Sequence, residues 1–386
     1  MTPFDTVIVV DWSGGGDRGP TPKKDAIWAA AVTANGSEAP VYLRNRTVAE
    51  DWLAKRFATE ISANRRVIAG FDFPFGYPKG FARHISDRQD PLALWDWIAD
   101  QLGSEGIGPD RYTLAGRINA LFPGTGPFWF NGSGTEIDGL PRKDTLRTGH
   151  GMPERREAES RAKGASSCWQ MGGAGSVGSQ AMTGMASLSR LRARFPDATC
   201  VWPFQPLDGP IVMVEVWPSL VGAQIKAATR TGEIKDAAQV RILAQAIWWM
   251  QESGVLAGAL DGVPPEARFE EGWIFGLGAE AQLRQAAEAA GTASLTPPRL
   301  RDDCFAMPQG VSWVPVDEAL ARLRDGLVPV ARVETVKTAN AAGRVLASDC
   351  VARRSNPPEP NSAVDGYGFA HAATGRGVQR LPLVAG

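Results

Sequence analysis

The stretch Val7-Ile-Val-Val-Asp-Trp-Ser-Gly-Gly-Gly16 decides how the 386-residue chain is read. Four consecutive β-branched residues make a run too short for a helix and too uniformly apolar for a half-solvated strand. They predict a strand buried on both faces. Asp11 ends it, and the glycines that follow predict a tight turn. Outward from this strand, residues 26–33 and 41–43 predict two more, with Asn35-Gly36 between them suited to a hairpin because both residues tolerate positive φ. Val48, Trp52, Leu53, Phe57 and Ile61 recur at helical spacing and share one apolar face. Val67 to Phe71 is a further buried strand, and it too ends at an acid, Asp72.

Strand, hairpin, strand, helix, strand, with acids closing the first and last strands, is the opening order of an RNase H-like α/β fold with a mixed sheet. The first and fourth strands of such a sheet are neighbours, which sets Asp11 beside Asp72. Ile211 to Val214 predicts a fifth buried strand closed by Glu215, and Asp236 opens an apolar helix running to Met250. Residues from about 73 to 210 are rich in Gly, Pro, Arg and Trp and are read as one long insertion, with helical pieces near Pro91 to Leu102 and Ser187 to Phe195. An Ala-rich helix is expected over Gly278 to Ala290. The expected division is therefore a domain over 1–290, a Pro-rich linker over 291–312 and a separate module over 313–386. In that module, a helix is expected over Val316 to Leu327, a strand over Val333 to Thr335 and a helix over Thr338 to Leu346, a small partial α+β unit.

Composition limits the chemistry. With 41 basic against 42 acidic side chains there is no overall basic field to coat nucleic acid by charge alone. Three histidines, and four cysteines (Cys168, Cys200, Cys304, Cys350) without a close pair, supply neither a disulfide framework nor a zinc cluster. Reactivity must therefore come from carboxylates, and Asp11, Asp72, Glu215 and Asp236 lie at the mouths of expected elements. Clustered carboxylates repel one another unless cations neutralise them, and hard oxygen donors of this kind suit Mg²⁺ or Mn²⁺. Two such ions about 4 Å apart clamp the attacking and leaving oxygens of a phosphodiester. Any one of these acids is explained equally well as a strand end or a helix cap. Residues 1–5 lack a basic segment and no apolar run approaches membrane-spanning length, so a cytoplasmic protein without a membrane partner is expected.

Arg142, Lys143, Arg147, Arg155 and Arg156 precede the Gly-rich stretch Trp169-Gln-Met-Gly-Gly-Ala-Gly-Ser-Val-Gly178. Arg142, Arg147 and Arg155 are candidate ligands for a substrate phosphate, with a solvated glycine loop as the plainer alternative. Trp95, Trp97, Trp129, Trp169 and Trp202 are candidate base-stacking platforms, although core packing explains them more simply.

Five motifs carry a resemblance: Asp11-Trp-Ser-Gly, Gly70-Phe-Asp-Phe-Pro-Phe-Gly76, Val214-Glu-Val-Trp-Pro218, Lys235-Asp236-Ala-Ala and Glu271-Gly-Trp-Ile274. In that order they resemble a family of predicted RNase H-like nucleases of unknown function, over about residues 1 to 280. The resemblance implies metal ligands at Asp11, Asp72, Glu215 and Asp236; a nucleotide-containing or nucleic-acid substrate is expected from the two-ion phosphodiester chemistry of the acids, not from the resemblance. In the C-terminal segment, Val316-Asp-Glu-Ala-Leu-Ala, Ala342-Gly-Arg-Val-Leu-Ala347 and Asn361-Ser-Ala-Val-Asp-Gly-Tyr367 resemble the start of molybdopterin molybdenumtransferase. That resemblance implies a link to molybdenum cofactor biosynthesis, molybdopterin contact at Asp365 and a homodimer through this module. Two functions follow: a fused, metal-dependent phosphoesterase, or a cofactor-assembly or dimerisation protein whose RNase H-like domain is inactive.

Overall fold

The computed structural model describes residues 2–103, 110–143, 145–293, 316–327, 332–358 and 368–382. The chain forms two compact units, Met1–Ala306 and Met307–Gly386. The expected linker lies, from residue 294 onward, outside the described residues, as do Asp365 and the whole stretch from Asn361 to Tyr367.

The first unit is built on a mixed sheet of β1 (Thr6–Asp11), β2 (Ile27–Thr33), β3 (Gly36–Ser37), β4 (Val41–Leu43), β5 (Val67–Phe71), β6 (Thr199–Val201) and β7 (Ile211–Glu215). Its order is β3-β2-β1-β5-β7-β6, and β4 also pairs with β2. β1 and β2 are antiparallel, whereas β1, β5, β7 and β6 run parallel. Because Val10 pairs with Phe71 and Phe71 with Glu215, the carboxyl ends of three strands finish level. The acids that close β1, β5 and β7 therefore reach the same edge.

Both faces of the sheet are covered, which is why its strands are apolar at every position rather than at alternate ones. Val7, Val9, Ile68, Val212 and Val214 point into one core, together with Val240, Leu243, Ala244 and Ile247 of α8 (Lys235–Glu252). Ile8, Val10, Ala69, Phe71 and Met213 point into the other, with Leu53 and Phe57 of α1 (Arg46–Ser62) and Met182, Met185 and Leu188 of α6 (Val177–Arg194). A one-residue slip of β1 would exchange its two faces. Between them, α2 (Phe81–Ser86), α3 (Pro91–Leu102), α4 (Arg111–Asn119) and α5 (Glu157–Arg161) build out residues 73–176. The segment read as an insertion thus also contributes β6 to the sheet and α6 to a core.

Local signals start the helices as physical chemistry requires. The Asn45 side chain accepts from the Val48 N–H at 2.9 Å to cap α1. Asp90 accepts from the Leu92 N–H ahead of Pro91 at the start of α3. Helix α6 begins ten residues before the expected Ser187, because Gly178 and Gly184 dilute its apolar pattern. The chain of the first unit closes with α7 (Gly222–Ala228), α8, α9 (Leu256–Asp261) and α10 (Glu280–Ala293).

The second unit has, among its described residues, one helix, α11 (Val316–Gly326), and single 3₁₀ turns at Thr338–Asn340 and His371–Ala373. Among its described residues there is no strand and no buried side chain. The strand expected over Val333 to Thr335 is irregular chain, and the helix expected over Thr338 to Leu346 stops after one turn. Val345 and Leu346, which should anchor that helix, are 96% and 76% exposed. A short helix draws most of its stability from burying one face, and here no face is buried.

Candidate active-site cleft

The carboxyl edge of the sheet opens on a polar cleft of about 490 Å³, bounded by the loop after β1, the start of α8 and the start of α6. Asp11, Asp25 and Asp236 line it, together with Arg18, Arg111 and Lys235. Asp72 stands behind, its N–H donating to the Val10 carbonyl at 3.0 Å and so locking it to the end of β1. The β1 loop approaches α6 closely at Gly14. A Cβ there would meet the Ser179 backbone at 2.9 Å, so only glycine allows this wall of the cleft.

The acids disturb one another. Burial pushes the Asp11 carboxyl well above the usual carboxylate range, and the charges of Asp72 and Asp236 push it further, with Lys235 opposing them. Asp72 is pushed up to about 7 by burial and by Glu215, against Lys235, with Asp236 adding to the rise. Asp236 is also raised, chiefly by burial. The Asp25 N–H works against that rise, donating to Asp236 Oδ2 at 2.7 Å. Asp25 itself sits at φ +56°, the left-handed region that Asp tolerates better than most residues. Among the described residues, no Lys or Arg nitrogen lies within 4.0 Å of Asp11, Asp72 or Asp236. No three His, Cys, Asp or Glu side chains gather among those residues as a ready metal-binding group.

Glu215, expected beside these acids as a ligand, is committed elsewhere. Arg156 grips it with two parallel bonds, Nη2 to Oε1 at 2.7 Å and Nη1 to Oε2 at 2.9 Å, and the Phe75 N–H adds a third at 2.8 Å. Arg156 also binds Glu159 through Nε at 3.0 Å and the Glu271 carbonyl at 2.9 Å. All three charged side chains are buried. A carboxylate held in a buried guanidinium fork is already paired, so in this structure Glu215 is engaged by Arg156 while its charge still acts on Asp72.

The arginines expected to meet a phosphate are also used otherwise. Arg147 donates to the Pro127 carbonyl and to Glu154 and lies 4.9 Å from the Trp129 ring centre. Arg155 donates to the Ala165 carbonyl at 2.6 Å. Arg142 lines a different cavity, with Asn119, Asn131 and Glu136. The cations that the structure brings to the Gly-rich loop are Arg111 and Arg18, both missed in the sequence because neither lies in an arginine-rich stretch. Trp95, Trp169 and Trp202 are core residues, each at most 1% exposed.

Among the described residues, no helix is long and apolar enough to cross a membrane. Comparison with curated proteins and with solved structures gives no match. A family model described as the MoeA N-terminal region (domain I and II) matches residues 314–386, so the C-terminal segment is similar to that region.

Proposed function

We propose that residues 1–290 form an RNase H-like domain, with 73–210 as its insertion, that acts as a metal-dependent phosphoesterase on a nucleotide-containing substrate. In this reading 291–312 is a linker to a module over 313–386. The observation that carries the proposal is that Asp11 and Asp236 line a polar cleft with Asp72 behind them, that burial and neighbouring carboxylates raise Asp11 and Asp72, and that among the described residues no Lys or Arg nitrogen lies within 4.0 Å of any of the three. Such repulsion is a standing cost that a hard cation relieves, and all-oxygen donors suit Mg²⁺ or Mn²⁺ in charge and type. A sheet in which β1 lies between an antiparallel β2 and a parallel β5 supports the RNase H-like reading.

Asp11, Asp72 and Asp236 would hold the ion, which supplies Lewis-acid neutralisation of the charge that builds on phosphate oxygens. The Asp236 carboxylate is oriented by the Asp25 N–H, and the backbone of Asp72 is tied to the Val10 carbonyl. Hydrolysis of bis(p-nitrophenyl) phosphate by the full chain tests the reading. Activity that needs Mg²⁺ or Mn²⁺ and falls at least 100-fold in Asp11→Asn and Asp72→Asn is expected. Equal activity in chelator, or in either variant, refutes it.

The match over 314–386 favours a second role, a link to molybdenum cofactor biosynthesis through molybdopterin contact at Asp365 and self-association of the module. Saturable binding of molybdopterin by the full chain, weakened in Asp365→Asn, is the expected result; indifference to that substitution would remove Asp365 from the role.

A further inference from the structure

We infer that the cleft is a receptor for a small phosphomonoester, whose phosphate is held by Arg18 and Arg111 while its ester side faces the carboxylates. This deepens the phosphoesterase reading and rests on it for the chemistry, but not for the binding. Three cations, Arg18, Arg111 and Lys235, line the same cleft as three acids, yet among the described residues none has a carboxylate oxygen within 4.0 Å. In a cleft of mixed charge, cations that no carboxylate neutralises point to an anionic ligand that completes them.

Arg111 is the better fixed. Its Nε donates to Ser179 Oγ at 3.0 Å, and that hydroxyl donates on to the Met171 carbonyl at 2.6 Å. Its guanidinium lies 4.5 Å from the Tyr112 ring centre, so its plane is set before any ligand arrives. Arg18 is tied by its backbone N–H to the Arg44 carbonyl at 2.9 Å, while its Nε is a buried donor without an acceptor. Three loop carbonyls beside the cleft already accept side-chain donors. Gln170 Nε2 takes those of Gly172 and Ala174 at 2.9 and 2.8 Å, and Arg46 takes that of Gly15. A planar donor fork and an orphaned guanidinium N–H match the divergent oxygens of a phosphate.

Size and lining choose between a small ester and a polymer. The volume suits one nucleotide-sized molecule, and among the described residues the one aromatic ring in the lining, Trp12, is 1% exposed and offers no face for stacking a strand of bases.

Titration calorimetry of the full chain with inorganic phosphate and with adenosine 5′-monophosphate, in chelator, tests the inference. Saturable binding of both is expected, weakened on the order of tenfold or more in Arg111→Gln and in Arg18→Gln. The Mg²⁺-induced rise in melting temperature should be unchanged in both variants. Phosphate binding that persists where the parent shows no metal response would sink the carboxylate reading and leave this one standing. Unchanged affinity in both arginine variants, no saturable phosphate binding, or tighter binding of a single-stranded oligonucleotide than of the monophosphate would overturn it.

Discussion

Asp72 concentrates the conflict at the sheet edge. Its carboxyl is raised to about 7 from an ordinary value near 4, so the folded state binds a proton that the unfolded state has already released across that interval. Stability without metal should therefore be highest at about pH 4 and fall as pH rises through about 7. Asp72→Asn should flatten that fall and, at pH 8 in chelator, stabilise the fold by about 1 kcal/mol, the repulsion of one close pair at an effective dielectric near 20. Urea midpoints between pH 4 and 8 check it; a parent that grows more stable over that range contradicts it. Glu215 behaves oppositely. Arg156→Met leaves two buried carboxylates, Glu159 and Glu215, without their cation and should cost about 3–5 kcal/mol in the same assay. Glu215→Gln should destabilise and leave any Mg²⁺ response intact, whereas a lost response would return Glu215 to the ligand set. That Asp11 and Asp72 lie together was legible in two β-branched runs that each end in an acid. The partner of Glu215 was not, because Arg156 is 59 residues away and nothing local marks it as buried.

Among the elements, α6 shows how a helix can be hidden in its own sequence. Gly184 weakens its apolar pattern, yet a Cβ at that position would sit 2.4 Å from the Phe73 ring. The glycine exists for a close approach that only the tertiary packing reveals. Gly184→Ala should destabilise by about 1–3 kcal/mol despite alanine's better helix propensity, and a stabilised variant in a thermal melt would refute the packing account. Helix α1 is the opposite case, announced by its apolar face, with the Asn45 cap seen only in the structure. Asn45→Ala should cost about 1 kcal/mol, the ordinary value of a lost cap. In the second unit, the periodicity of Thr338 to Leu346 reads as helix and forms one turn, and among the described residues nothing covers Val345 and Leu346.

At the scale of the whole chain, the first unit carries both hydrophobic cores, while no described side chain of the second is buried. A chain ending at Ala306 should therefore unfold cooperatively at the midpoint of the full-length protein; a molten or aggregated product would show that the first unit depends on the second. By itself the sequence determined five strands of the sheet, though not β3 or β6, the order that sets β1 against β5, the acids at their ends and the molybdopterin molybdenumtransferase-like character of the C-terminal segment, which the family match over 314–386 supports. These are local properties, written in runs of β-branched residues and in contiguous motifs. Only the tertiary structure decided which acid is neutralised, which arginines enter the cleft and how far segment 73–210 joins the core. Those outcomes depend on burial and on charges brought together from distant parts of the chain, and the energy of an ionised group is set by its neighbours in space.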